Sequence, residues 1–360
     1  MTEVLAATGD DRLPLIHAAP RVRLDGQARP DMAAAVQSLA LRLPLAGPAS
    51  LELQLRNWAQ TERGPDFVFD DLLPGQHIEI LLGEAARAPA FRGTISAIEE
   101  RYGEGAPQRV LLAEDALQEL ARHHHSRSFT DLSPDDVVRA VAEENGLTAD
   151  VQISTARGQW LQLAESDLGF LYRLLAPWGT ALRLDGEGRL RARPEQPDPQ
   201  PVRLDPDANL SRLRLVADLN RQPAGMRAQG WDLAGDRPAR GQAEALQPPP
   251  SGHDVRHWLD NAGWRDTLRL RHPFAFSAAL ADQWAHAALQ TRNERLVHGE
   301  IVCPGLPHMA AGREVSLTGV SPRLRGTYRV VDCLHRFDRR HGFTTRLRVQ
   351  RPWWGGGEEP

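Results

Sequence analysis

Three consecutive histidines, two cysteines each with a histidine nearby, and several adjacent acidic pairs are the residues whose types could do chemistry in this chain. His123-His124-His125 invites a metal, because imidazole is the commonest transition-metal ligand. Neighbouring residues on a strand or helix point apart, however, while a tight site needs converging ligands, and no cysteine or carboxylate cluster accompanies the run. It reads as a polar helix end. Cys303 with His308, and Cys333 with His335, have the types of a thiol nucleophile and its base. Both cysteines fall in strand patterns, where a free cysteine behaves as a small buried hydrophobe. Glu99-Glu100 and Glu143-Glu144 raise a lysozyme-like glycosidase, which needs two carboxylates ~5 to 9 Å apart across a sugar cleft. Adjacent glutamates project apart and read as solvated charges. Gly355-Gly356-Gly357 lacks the preceding strand and following helix of a phosphate loop. No catalytic, cofactor-binding or metal-binding residue is assigned, no cofactor is expected, and the chain is expected not to be an enzyme.

Elements able to position anything must come from 360 residues, more than one core normally holds, so two or three domains are expected. Apolar residues are 41% and charged residues 25%, the balance of an ordinary globular chain rather than a disordered or fibrous one. A formal net charge of -4 argues against general nucleic-acid or membrane-surface binding, which calls for a basic excess. Every basic residue besides histidine is arginine, a side chain whose planar fork suits pairing with carboxylates across subunits. Two cysteines cannot build a disulfide framework, and a reducing compartment is the simplest assignment. No apolar run approaches the ~20 residues that span a bilayer, and the start MTEVLAATGDDRLP lacks the pattern of a signal peptide. Synthesis in the cytoplasm is expected, without membrane insertion by the chain itself.

Residues 20–114 alternate short apolar runs with turn chemistry: Arg21 to Leu24, Leu51 to Leu55, His77 to Ile80, Thr94 to Ile98 and Val110 to Leu112. Many short strands so spaced predict an antiparallel barrel or sandwich. Residues 115–205 change to the helical period. Ser133 can cap a helix with Pro134 at its first position, Asp135 and Asp136 at the positive end of the dipole, Leu132 and Val137 as a staple, and Asn145-Gly146 as the stop. A further helix begins at Ser166-Asp167 and buries Leu168, Leu171, Leu174 and Leu175. Strand alternation returns in 206–225 and 296–352. Between them, 226–295 is a weakly patterned insertion closed by a helix from about Ser277 to Arg295, carrying Leu280, Trp284 and Ala288. Residues 1–19 form an N-terminal extension. Residues 353–360 form a flexible tail whose Trp353 and Trp354 could anchor on a partner.

The two strand-rich regions resemble each other. Pro74-Gly75-Gln76-His77-Ile78-Glu79-Ile80 matches Ala311-Gly312-Arg313-Glu314-Val315-Ser316-Leu317, and Phe91-Arg92-Gly93-Thr94-Ile95 matches Leu324-Arg325-Gly326-Thr327-Tyr328, with loops differing by four residues. Duplication of one β unit follows from this reading, and three chains would then present six similar units around an axis.

The order Glu114-Asp115-Ala116-Leu117, Ser126-Arg127-Ser128-Phe129, Ser133-Pro134-Asp135-Asp136-Val137-Val138 and Glu165-Ser166-Asp167-Leu168-Gly169-Phe170-Leu171 up to Gly179 resembles the late control protein D family of phage tails. It is also similar to the hub portion of the VgrG spike proteins of type VI secretion, over roughly residues 20–352. The resemblance implies an α+β, mainly β fold: two similar antiparallel β-barrels, a small mixed α/β domain between them, and a helix-containing insertion in the second. It implies a structural baseplate hub of a phage tail or contractile injection system. The hub would be a homotrimer joining the tail tube protein to a separate central spike protein, alongside other baseplate proteins, in the virion tail baseplate or injection particle. Sequence-specific nucleic-acid recognition is not expected. A tail-tip cell-wall hydrolase and a glycan- or receptor-binding module, the latter using Trp231, Trp258 and Trp264, are the rival readings.

Overall fold

The computed structural model describes residues 19–62, 64–83, 86–103, 105–233, 235–244 and 252–355. The expected N-terminal extension, apart from its last residue, and the glycines beyond Gly355 lie outside the described residues.

The first unit contains six principal strands, β1 (Arg21–Leu24), β2 (Val36–Pro44), β3 (Ser50–Arg56), β4 (His77–Leu81), β5 (Phe91–Arg101) and β6 (Gln108–Glu114), hydrogen-bonded in the order β1-β4-β5-β6-β3-β2. Period-two alternation puts Leu51, Leu53 and Leu55 in one core with Leu39, Leu41, Ile78, Ile80 and Leu111, while Glu52 and Gln54 face away. Asp115 then accepts hydrogen bonds from the Ala49 and Leu117 N–H groups and turns the chain into the mixed unit.

In that unit β7 (His124–Leu132) pairs with β8 (Gly158–Ser166), with α1 (Pro134–Glu144) between them and α2 (Asp167–Leu175) after. The capping chemistry forms as the sequence predicts. The Ser133 hydroxyl accepts from Asp136 N–H at 3.1 Å, the Asp136 carboxylate accepts from Ser133 N–H at 3.2 Å, and Ser166 caps α2 through Gly169 N–H. Leu168, Leu171, Leu174 and Leu175 are buried.

The second sheet unit starts earlier than expected. Val202–Leu204 (β9), read from sequence as the end of the mixed unit, pairs with the strand Glu314–Leu317. The chain continues through β10 (Arg212–Ala217) into the insertion, where β11 (Gly225–Asp232), β12 (Arg237–Ala243) and β13 (Thr267–Arg269) form a small sheet with α3 (Val255–Ala262) and α4 (Ala278–Asn293). A Cβ at Gly241 would lie 2.1 Å from the Ala281 backbone, so glycine lets α4 lie directly on this sheet. The unit resumes with β14 (Val297–Pro304), β15 (Glu314–Leu317), β16 (Gly326–Asp338) and β17 (Gly342–Arg351). Last, β18 (Trp353–Trp354) pairs with His253–Asp254, and Trp354 packs on Trp258 with ring centroids 4.8 Å apart. The expectation of a loose tail is corrected for these residues: Trp354 anchors on Trp258 of the chain's own α3, and Trp353 pairs with Asp254 just before it.

Strand order in the second unit, β9-β15-β16-β17-β14-β10, repeats that of the first term by term. The row Leu39–Leu53–Leu111–Ile98 across the first unit corresponds to Leu213–Ile301–Leu347–Cys333 across the second. Gly75 N–H donates to Ile95 O at 2.8 Å and Ile95 N–H to Gln76 O at 2.9 Å; Gly312 N–H donates to Val330 O at 2.8 Å and Val330 N–H to Arg313 O at 2.9 Å. Both glycines have positive φ, 94° and 90°. These bonds equate Ile95 with Val330, so Phe91 corresponds to Gly326, and the two Arg-Gly-Thr runs are out of step by two residues. The sequence match at that point is a local coincidence, and the loops differ by two residues rather than four. A bulge follows Ile95 and another follows Val330, in agreement with this register. One pairing differs: β1 meets β4 antiparallel, whereas β9 meets β15 parallel.

No sheet closes on itself among the described residues. Two separate barrels were expected; instead β2 pairs with the outer half of β16, and the two units become one 13-stranded sheet.

Candidate assembly surface

Because successive side chains alternate across a strand, the fused sheet has one face packed on the cores and one open face. Arg42 crosses the junction between units on that open face, its Nη2 donating to Asp332 Oδ2 at 2.9 Å and its Nε to Oδ1 at 3.0 Å. The fork holds the Arg42 guanidinium protonated to still higher pH than usual. Arg346 pairs with Glu300, and Arg348 approaches Asp332 at 3.8 Å. Beside the junction lies a groove of about 720 Å³ lined by Arg42, Arg212, Arg214, Arg295, Arg346 and Arg348 against Glu300 and Asp332. A chain of net negative charge thus concentrates arginine on one concave surface.

The junction is built as a core. Leu39 faces Phe337, Leu41 faces His335 and Leu43 faces Cys333; Leu39 and Leu41 are buried, and Phe337 is 6% exposed. β10 occupies the place of β2 in the second unit and, among the described residues, is hydrogen-bonded on one side only, to β14. The outer half of β5 occupies the place of the outer half of β16 and, among the described residues, is paired only with β6 beyond its bulge.

The residues singled out for chemistry are held structurally. Burial pushes the Cys303 thiol up to about 12 and the Cys333 thiol higher still. His335 Nε2 is 3.4 Å from Cys333 Sγ but also 2.9 Å from the Met309 carbonyl, so this nitrogen carries the proton and donates; it cannot take one from the thiol. Burial depresses the His335 imidazole to about 4. Cys303 Sγ donates to Thr345 O, while His308 is exposed. Both thiols are therefore core groups with little thiolate character.

The three histidines diverge into separate bonds: His123 to the Asn145 side chain at 2.7 Å, His124 to Arg122 O at 3.3 Å, and His125 to Asp167 at 2.9 Å. No cluster of three potential metal ligands occurs among the described residues. Asp167 is the centre of a network that sequence reading saw only as a helix start. It accepts from Gln162 at 2.9 Å, His125, Asn145 at 3.1 Å and Arg127 at 3.0 Å. Burial alone would raise this carboxyl, but those donors and the Arg127 charge hold it below the ordinary aspartate range. Glu99 pairs with Arg101 at 2.8 Å and Glu100 with Arg109 at 2.6 Å, and Glu144 pairs with Arg127. Trp258 is committed to Trp354, whereas Trp231 and Trp264, each 47% exposed, have no ring partner among the described residues. Sequence reading missed β2 altogether, although Leu39, Leu41 and Leu43 alternate with polar Ser38 and Arg42.

The family model described as the Alg8 N-terminal domain matches residues 68–338, from the first sheet unit through to the second, and the chain belongs to that family. No curated protein matches it in sequence. Among solved structures, the 43 kDa tail protein of prophage MuSo2 from Shewanella oneidensis superposes with a TM-score of 0.71 at 14% identity, over 93% of this chain and 98% of that one. A tail protein from Neisseria meningitidis MC58 gives 0.65 at 13% identity, over 93% and 97%. The E. coli c3393 protein, a component of the type VI secretion system with structural similarity to the T4 bacteriophage tail proteins gp27 and gp5, gives 0.55 at 11% identity, over 90% and 76%. At these identities the likeness establishes a shared fold, that of phage-type tail proteins.

Proposed function

We propose that this chain is a non-enzymatic structural subunit of a phage tail or contractile injection machine, a baseplate hub of the late control protein D and VgrG kind. In this reading three copies assemble so that six related sheet units surround a channel, with the tail tube on one side and the central spike on the other. The observation that carries it is the term-by-term repeat of strand order within one chain, the two copies being fused edge to edge through β2 and β16. A duplicated unit lets a threefold assembly present a sixfold surface, a match of symmetries that neither a hydrolase nor a glycan-binding module requires. The fold shared with prophage tail proteins supports the same reading, and the committed state of Cys303, Cys333 and His335 supports its non-enzymatic part.

Light scattering coupled to size exclusion tests the proposal. The expected mass is three times the 39.9 kDa chain when it is alone, or that mass plus the bound spike when its spike protein is added. A strictly monomeric mass under both conditions overturns it, and clearing of a peptidoglycan zymogram overturns the non-enzymatic part.

A further inference from the structure

Two strand edges that are paired inside the chain have counterparts left unpaired among the described residues. We infer that β10 of one copy pairs antiparallel with the outer half of β5 of the next, in the register that β2 and β16 use within the chain. The inference rests on the self-association proposed above and adds its contact, direction and register.

The register follows from the equivalences already given. Leu39 corresponds to Leu213 through the partners Leu53 and Ile301, and Cys333 corresponds to Ile98 through Leu347 and Leu111. Carrying Leu39↔Phe337, Leu41↔His335 and Leu43↔Cys333 across gives Leu213 opposite Tyr102, Leu215 opposite Glu100 and Ala217 opposite Ile98. Phe337 is 6% exposed in its junction, whereas Tyr102, the aromatic in the same place, is 68% exposed. Leu39 is buried where Leu213 is half-buried. Tyr102 and Leu213 thus each lack the cover that their counterparts have, and each supplies it to the other.

Backbone polarity agrees. Leu45 N–H donates to Val331 O, so odd-numbered residues of β2 turn their N–H groups toward β16. Asp218 N–H donates to Leu296 O, so even-numbered residues of β10 bond to β14 and odd-numbered ones, the equivalents of those in β2, point outward. The charge pattern differs in detail: Arg42 faces Leu334 and reaches diagonally to Asp332, its counterpart in β10 is Val216, and Arg214, two residues earlier on the same face, would face Arg101 and reach diagonally to Glu99, which already holds Arg101 at 2.8 Å. One carboxylate would then bridge two arginines across the contact. Because the two edges differ, the contact is head-to-tail and repeats around a ring until it closes.

Cysteine pairs in the full chain test the register, with the buried Cys303 and Cys333 left in place. Val216→Cys and Glu99→Cys form a non-hydrogen-bonded pair in this register, with Cα atoms about 4.5 Å apart, within disulfide reach. Oxidation is expected to link chains into ladders that run as multimers on a non-reducing gel. Val216→Cys with Glu100→Cys, which point to opposite faces, is expected to link at least tenfold less. Ala217→Pro, which removes an outward N–H and no bond to β14, is expected to raise the concentration for half-assembly at least tenfold with unchanged melting. An oligomer in which the matched pair links no better than the mismatched pair overturns the pairing and leaves self-association standing. A wild-type chain that stays monomeric, with or without spike protein, overturns both.

Discussion

Asp115 joins the first sheet unit to the mixed unit, and its carboxyl is the one whose titration should be legible in the melting of the chain. Asp115 is 8% exposed, beside Glu114, and its carboxylate accepts hydrogen bonds from the Ala49 and Leu117 N–H groups. Burial raises it from 3.8 to about 6, with the Glu114 charge adding to the effect and the two N–H bonds opposing it. Between these values the folded chain holds a proton that the unfolded chain has released. Stability is therefore fully present below the unfolded value and is lost as pH rises through about 6. At ~1.4 kcal/mol per pH unit the loss is roughly 3 kcal/mol between pH 4 and 7, or about 2 to 4 °C in Tm for each kcal/mol. Asp115→Asn keeps an acceptor oxygen and cannot ionise. Buried Glu294 is also raised by burial and slopes the same way, so the informative quantity is the difference between the two proteins. Thermal melts of wild type and Asp115→Asn from pH 4 to 7 should show the variant gaining on wild type by several degrees across this window. A difference that stays constant with pH would refute the reasoning.

Asp167→Ala should cost about 3 to 5 kcal/mol in urea unfolding at neutral pH, because it removes the buried acceptor shared by Gln162, His125, Asn145 and Arg127. The wild-type contribution of this low-lying carboxyl should fade only as pH falls below the ordinary aspartate range. Trp284→Ala should lower stability by about 3 to 5 kcal/mol, since the ring is 1% exposed and meets Trp178 edge-on at 5.5 Å; loss of α4 helicity by circular dichroism would accompany it. Cys303 and Cys333 should resist a thiol reagent in the folded chain at pH 8 and react with two equivalents in urea; fast native labelling would contradict their burial.

Local chemistry was legible wherever it is set by neighbours in sequence. Ser133 to Gly146 reads as a capped helix because each device, the serine cap, the proline and the terminal Asn145-Gly146, acts within a few residues, and α1 lies where that reading puts it. Period-two alternation identified the β3 leucines and the strands around Ile78 and Val110 for the same reason. Duplication was visible too, through Gly75 and Gly312, whose positive φ demands the same residue type in both units.

What the sequence could not decide is everything that depends on which strand edges meet. Arg-Gly-Thr placed the repeat two residues out of step, because strand register is set by hydrogen bonds to a distant partner and not by the letters of one strand. The same limit hid the junction of β2 with β16, which joins residues almost three hundred positions apart and turns two expected barrels into one continuous sheet. It also concealed that Tyr102 and Phe337 hold one position in two copies of a unit, one ring covered and the other bare. Hydrophobic period and capping are properties of a segment, and the sequence carries them; edge pairing is a property of the assembled sheet, and only tertiary structure contains it.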